Sequence, residues 1–160
     1  MHVQTQNRRA LGDGRLGIAG GGEPQGRPGS PAASGADHVK RTTKPRRVLL
    51  IEDNIDTVRS LAFLLSDMGH KVEYAINGYA GIELARRFRP EFVLLDIGLP
   101  GMDGFDVCSR IKREPGLERT RVIAVTAWAQ DEYRVRSRAV GCELHLVKPV
   151  PVHVLQDLLG

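Results

Sequence analysis

The sequence has few aromatic residues, few cysteines and no long apolar run. Aromatic residues make up only 5% of it, which argues against a nucleic-acid platform built from stacked rings. No apolar stretch approaches the roughly 20 residues of a membrane span, and the N-terminus lacks the apolar core of a signal peptide. The two cysteines, Cys108 and Cys142, form no C-x-x-C motif. These absences predict a cytoplasmic protein with no membrane contact and two reduced cysteines that serve in packing.

Charge and glycine are unevenly distributed along the chain. Residues 1–47 carry nine Lys or Arg and three acids, a net charge of +6. Residues 48–160 carry fourteen Lys or Arg and sixteen acids, a net charge of −2. Residues 1–45 also contain nine of the eighteen glycines. Ordering such a segment would cost conformational entropy and bury little apolar surface. We therefore predict a disordered, basic Gly/Pro-rich tail at 1–45 and one folded domain at 46–160.

The folded domain alternates strand and helix patterns. Strands are predicted at 46–53, 71–75, 92–96, 121–127 and 143–147. Four helices are predicted at 54–68, 79–88, 129–140 and 151–159. A further helix, third in chain order, is predicted to be capped by Asp103 and to run to about Arg113. Five strands that are each followed by a helix require right-handed crossovers, hence a parallel sheet with helices on both faces. The predicted fold class is α/β, doubly wound, with ligands gathering beyond the carboxyl ends of the strands.

Polar residues stand at the ends of four predicted strands. They are Glu52 and Asp53 on the first strand, Asp96 on the third, Thr126 on the fourth and Lys148 on the fifth. Because parallel strands end at one edge of the sheet, these side chains are predicted to converge. Three neighbouring carboxylates repel one another, and a Mg²⁺ ion removes that conflict. Lys148 and Thr126 could then contact a phosphoryl group.

Each of these residues also has a plainer interpretation. Asp53 or Asn54 could simply cap the following helix, and Asp96 could be a turn residue before Gly-Leu-Pro-Gly. Thr126 is an ordinary strand residue, and an isolated Lys148 would usually be solvated. The predicted convergence of four strand ends on one rim favours a shared site over separate coincidences.

Four stretches resemble the receiver domain of two-component response regulators. They read "VLLIEDN", "FVLLDIGLPGMDGFDV", "VIAVTAWA" and "LHLVKPV", in that order, and the resemblance covers about 46–160 and none of 1–45. It implies a flavodoxin-like five-stranded sheet with strand order 2-1-3-4-5. It also implies a signalling domain that takes a phosphoryl group from a phosphohistidine on a sensor histidine kinase or phosphotransfer protein. Such a domain catalyses its own phosphorylation and dephosphorylation and is not a turnover enzyme.

The resemblance assigns a role to each strand-end residue. Asp96 looks like the phosphorylation site, and Lys148 like the lysine that pairs with the phosphoryl group. Asp53 looks like a direct Mg²⁺ ligand and Glu52 like a ligand through water. Asp96 itself and the Gly98 carbonyl would complete the protein's share of the magnesium site.

A second group of residues is implied to act in switching. Thr126 resembles the hydroxyl that moves toward the phosphoryl group. Its partner position on the fifth strand, usually tyrosine or phenylalanine, is His145, which could pack as a ring or add pH sensitivity; packing is the preferred interpretation. Gly98 and Trp128 flank the approach to Asp96. The Lys148–Pro149 peptide is expected to be cis.

Alternatives from other functional classes stay open. A haloacid-dehalogenase-like phosphatase also forms an aspartyl phosphate, but it places a second aspartate where this chain has Gly98. A receiver-like module that binds partners without phosphate is the other alternative. We expect no DNA-binding domain, since the chain stops at Gly160 and 1–45 shows no helix-turn-helix pattern. The surface of 129–159 is the expected place for partner contacts or a weak homodimer, and "HLVKPV" also resembles receivers joined to hybrid sensor kinases.

Overall fold

The computed structural model describes residues 44–160, which form five strands alternating with five helices. The strands are β1 (Arg47–Ile51), β2 (Lys71–Ala75), β3 (Phe92–Asp96), β4 (Arg121–Thr126) and β5 (Leu144–Val147). The helices are α1 (Ile55–Asp67), α2 (Gly78–Phe88), α3 (Gly104–Arg113), α4 (Asp131–Ala139) and α5 (Val152–Leu159). The predicted tail lies outside the described residues except for its last two positions. Within 44–160, no helix combines the length and the apolar character that crossing a membrane requires.

The predicted element order is confirmed, and half of the element ends shift by one or two residues. The first strand stops at Ile51, so Glu52 and Asp53 follow it instead of belonging to it. Asn54 is the residue that caps α1, because its side chain accepts hydrogen bonds from the backbone N–H groups of Asp56 and Thr57. The carboxylate of Asp53 is therefore not needed as a cap.

All five strands are parallel, in the order β2-β1-β3-β4-β5, which confirms the predicted fold class. Alternate residues of each strand point to opposite faces, so the apolar strands supply two cores. One face of β1 and β3, which includes Leu49 and Leu95, packs with residues of α2 and α3. The other face, which includes Leu50 and Leu94, packs with residues of α1 and α5. This double burial explains the continuous apolar runs in the sequence.

His70, which directly precedes β2, is a buried titratable group outside the predicted site. Its side chain is 6% exposed, and its Nδ1 accepts a hydrogen bond from the Arg46 backbone N–H at 3.3 Å. Its Nε2 has no hydrogen-bond partner among residues 44–160. Burial lowers the pKa of His70 below its ordinary value of 6.5, the charge of Arg46 lowers it further, and Glu91 opposes the shift. The folded chain therefore disfavours a proton on His70.

Because His70 is buried, we expect the folded chain to lose stability in mild acid. Because the pKa of His70 is lower in the folded than in the unfolded chain, the unfolded chain binds more protons. The free energy of unfolding should then fall as the pH drops below about 6.5, by up to about 1.4 kcal/mol per pH unit for this one group. In His70→Asn, which keeps an acceptor for Arg46, the slope measured by urea unfolding between about pH 7 and pH 5 should be shallower.

The matched control is His153→Asn, because His153 is exposed on α5. That variant should retain the pH slope of the unaltered chain. An unchanged slope in His70→Asn would show that the buried histidine does not govern this acid sensitivity.

Candidate functional site

Charged side chains meet beyond the carboxyl ends of β1, β3 and β5. The ammonium Nζ of Lys148 lies 2.6 Å from Glu52 Oε2 and 2.7 Å from Asp96 Oδ2. One carboxylate oxygen each from Glu52, Asp53 and Asp96 can be chosen so that all three lie within 4.8 Å of one another. The structure thus brings together four of the residues that the sequence places at strand ends.

Backbone hydrogen bonds hold the carboxylates of Glu52, which is buried, and Asp96, which is half-buried, in place. Asp96 Oδ1 accepts the N–H of Gly98 at 2.7 Å, which leaves Oδ2 for Lys148. Glu52 Oε1 accepts the N–H of Asn54 at 3.2 Å, which leaves Oε2 for the same ammonium group. Each carboxylate is therefore held by one backbone donor and one charge-assisted hydrogen bond.

The charges at this rim do not cancel. Burial by itself would lower the pKa of Lys148, but its hydrogen bonds to Asp96 and Glu52 outweigh that effect and raise the pKa. Lys148 therefore stays positively charged. The site contains three carboxylates and one ammonium, an excess of two negative charges, which suits a hard divalent cation with oxygen ligands.

The β4 end adds a hydroxyl to the same rim. Thr126 is buried, and its carbonyl accepts the backbone N–H of Lys148 at 2.8 Å, so the two residues are fixed side by side. Its Oγ1 accepts the backbone N–H of Trp128 at 3.2 Å. The hydroxyl proton is therefore free to be donated to another group. The peptide bond after Lys148, leading to Pro149, is cis.

Trp128 lies over the entrance beside Gly98. A Cβ atom built on Gly98 would be 3.6 Å from Cη2 of the indole, which places the ring next to Asp96. The indole stacks on Tyr133 with ring centroids 4.9 Å apart, and Tyr133 stacks on Phe105 at 6.4 Å. This aromatic column joins the rim to α4 and α3. Tyr133 and Phe105 are not predictable from the sequence as part of this site, since no spacing pattern relates residues on separate helices.

His145, on β5, faces α4. Its Nε2 lies 2.9 Å from the carbonyl oxygen of Trp128, and its Nδ1 lies 2.8 Å from the hydroxyl of Ser137. A carbonyl can only accept, so Nε2 carries the proton and Nδ1 accepts from Ser137. The ring thus links β5 to α4 and to the loop after β4. This arrangement fits the packing interpretation, while a switching role for His145 stays a prediction.

Comparison with known proteins identifies the family. The sequence model of the family described as "Response regulator receiver domain" matches residues 48–159 of the chain. The chain belongs to this family. This receiver domain is also 35% identical over 108 residues to the polar-differentiation response regulator DivK of Brucella anthropi, an alignment that covers 68% of the chain and 88% of DivK.

Two further relatives are found in histidine kinases. The receiver domain is 33% identical over 112 residues to the signal transduction histidine-protein kinase BarA of Escherichia coli, covering 70% of the chain and 12% of BarA. A crystal structure of the receiver domain of the sensor histidine kinase PA1611 from Pseudomonas aeruginosa aligns with a TM-score of 0.66 and 28% identity. That alignment covers 72% of this chain and 95% of the other, whose active site cleft holds a coordinated magnesium ion.

The first residue of α3, Gly104, is expected to be sensitive to substitution. A Cβ on Gly104 would lie 2.5 Å from the Cα of Ile97 and 2.7 Å from the carbonyl oxygen of Asp96. Both are backbone atoms that cannot rotate away. Gly104→Ala should lower the free energy of unfolding by about 2 kcal/mol or more, measured by chemical denaturation. The control is Gly98→Ala, whose added Cβ meets its neighbours at 3.4 Å or more and should cost far less.

Proposed function

We propose that this receiver domain accepts a phosphoryl group on Asp96 from a phosphohistidine of a sensor histidine kinase or phosphotransfer protein. It then changes conformation to control a partner protein, or passes the phosphoryl group on. The observation that carries the proposal is the environment of the Asp96 carboxylate. Gly98 fixes one oxygen, Lys148 contacts the other, and the Glu52–Asp53 pair stands beside them.

The chemistry requires few groups beyond these. An oxygen of Asp96 attacks phosphorus in line, so that a P–O bond forms while the P–N bond of the donor breaks. Lys148 stabilises negative charge on the transferring oxygens, because its ammonium already lies 2.7 Å from Asp96. Water attacking the aspartyl phosphate at the same position reverses the modification. The domain thus assists its own phosphorylation and dephosphorylation.

The donor set at the rim fits Mg²⁺. The carboxylates of Glu52, Asp53 and Asp96, together with the carbonyl of Gly98, would hold the ion. When bound, the ion neutralises charge on the phosphoryl oxygens. Lys148 keeps the carboxylates of Glu52 and Asp96 together before any ion enters, which reduces the rearrangement that binding requires.

A path for the conformational response starts at Thr126. Its hydroxyl proton is free to bond to a phosphoryl oxygen, and its Oγ1 already accepts from the N–H of Trp128. The carbonyl of Trp128 in turn accepts from His145. Movement of Thr126 therefore pulls on the loop that joins β4 to α4. Shifting a population from 1:99 to 99:1 takes about 5.5 kcal/mol, and charge-assisted hydrogen bonds from Thr126 and Lys148 supply several kcal/mol of it.

Phosphorylation can be tested with a small acyl-phosphate donor and Mg²⁺. The intact mass should increase by one phosphoryl group, and Asp96→Asn should abolish the gain because the attacking carboxylate is lost. The control is Asp106→Asn, an exposed aspartate on α3 that should be phosphorylated normally. Equal labelling of Asp96→Asn would contradict the assignment. If neither phosphate nor beryllofluoride binds, the domain works as a phosphate-independent binding module.

Magnesium binding can be tested through the single tryptophan. Trp128 lies beside Gly98, so an ion at the rim should change its fluorescence, and no other tryptophan contributes. Asp53→Asn removes one carboxylate from the cluster and should weaken Mg²⁺ binding by about tenfold or more. Asp106→Asn should bind as the unaltered chain does. An unchanged dissociation constant in Asp53→Asn would place the ion elsewhere.

A further inference from the structure

The two cysteines are in direct contact in the interior. Cys108 lies on α3 and Cys142 two residues before β5, 34 residues apart in sequence, yet their Sγ atoms are 2.9 Å apart. Both are free thiols, 0% and 4% exposed, in the core that also contains α2 and one face of the sheet. The expectation that they are packing residues is compatible with this position, but it does not account for their contact.

The end of α4 fixes Cys142 against Cys108. Gly141 has φ of +96°, and the N–H of Cys142 bonds to the carbonyl of Ser137 at 2.9 Å. These are the features of a Schellman motif, which turns the second residue after the helix back toward its apolar side. Cys108 Sγ also approaches the carbonyl of Val140 at 3.6 Å. The backbone therefore holds the two sulfur atoms together.

The two thiols have different acidities. A hydrogen bond from Cys142 lowers the pKa of Cys108; burial opposes this, and the nearby Lys112 lowers it further. Donating that hydrogen bond raises the pKa of Cys142, as does its burial. The stem of Lys112 lies against Gly141, so its charge stays close to the pair. Cys108 is consequently the thiol that loses its proton first and acts as the nucleophile.

We propose that Cys108 and Cys142 form a redox modification site at which hydrogen peroxide converts them into an intramolecular disulfide. The Cys108 thiolate attacks one peroxide oxygen, giving a sulfenic acid and hydroxide, which becomes water. The sulfur of Cys142 then attacks the Cys108 sulfur, and the sulfenic oxygen leaves as a second water with the proton of Cys142. In total two thiols lose two electrons and two hydrogens to one peroxide. A dithiol reductant reverses the reaction.

The buried pair becomes accessible through α4. Of residues 131–139, only Ser137 is buried, and the partly buried Tyr133 adds its stacking on Trp128 and Phe105, so few buried contacts hold this helix on the domain. Segments with few buried contacts open at low free-energy cost. Hydrogen peroxide is small enough to enter through such an opening.

The disulfide would restrain the segment that carries the proposed response. The closed loop of residues 108–142 contains β4, Thr126, Trp128 and α4. Linking its ends ties α3 to the connection between α4 and β5. Oxidation should therefore raise the unfolding temperature by about 10 °C, chiefly by restricting the unfolded chain.

The test treats the full-length folded chain with hydrogen peroxide, traps remaining thiols with N-ethylmaleimide in denaturant and measures intact mass and linked peptides. We expect the loss of two hydrogens, no maleimide added, and one peptide pair joining Cys108 to Cys142. Cys108→Ala and Cys142→Ala should each give no intramolecular link. Two alkylated thiols in the treated chain, or links only between chains, would overturn the proposal.

Thermal unfolding provides a second readout. The rise of about 10 °C should appear in the oxidised chain, disappear with dithiothreitol and be absent from Cys142→Ala treated in the same way. A disulfide that forms without raising the unfolding temperature would contradict the proposal that it restrains residues 108–142, because the loop would then be closed without stabilising the fold. Neither readout involves phosphorylation, so the result is independent of the proposed phosphoryl transfer.

Discussion

The ammonium group of Lys148 lies between the carboxylates of Glu52, which is buried, and Asp96, which is half-buried, and much of the site depends on it. Glu52 is 5% exposed, and an unpaired charge at that depth would destabilise the domain. Lys148 compensates it and, through Asp96, joins the ends of β1, β3 and β5. Because three carboxylates surround one ammonium group, the cluster keeps an excess of two negative charges for a cation. The same contacts therefore stabilise the rim and place its groups as the proposed phosphoryl transfer requires.

The β4–α4 connection links this rim to the outer surface of the domain. Thr126 accepts from the backbone of Trp128, and the carbonyl of Trp128 accepts from His145. His145 also accepts from Ser137, the buried residue of α4. With one buried residue, α4 is positioned by these polar contacts together with the stacking of Tyr133 on Trp128 and Phe105. A small shift at Thr126 can consequently move α4 at little cost in buried apolar surface, and a covalent link at the helix end would limit that movement.

The fold and the central site were predictable because their signals are local in sequence. The apolar runs of β1, β3 and β4 end at or just before a polar residue, and parallel strands bring such ends to one edge. The exact first and last residues of the elements were harder to predict from the sequence. Asp53 and Asn54, for example, are both suitable caps, and only the structure shows that Asn54 is used. The Lys148–Glu52 ion pair and the contact of Cys108 with Cys142 depend on how distant elements pack. Periodicity carries no information about such contacts.

The central claim is that Asp96 is the phosphate acceptor within a cation site shared with Glu52 and Asp53. The most direct measurement is a crystal structure of the chain with beryllofluoride and Mn²⁺ in place of Mg²⁺, with the ion located by anomalous scattering. If Asp96 is the acceptor, beryllium should be bonded to an Asp96 oxygen, the ion should be bound to Asp53 and Asp96, and Lys148 should be directed at the fluorines. Beryllofluoride on another carboxylate, or an ion away from this rim, would contradict it.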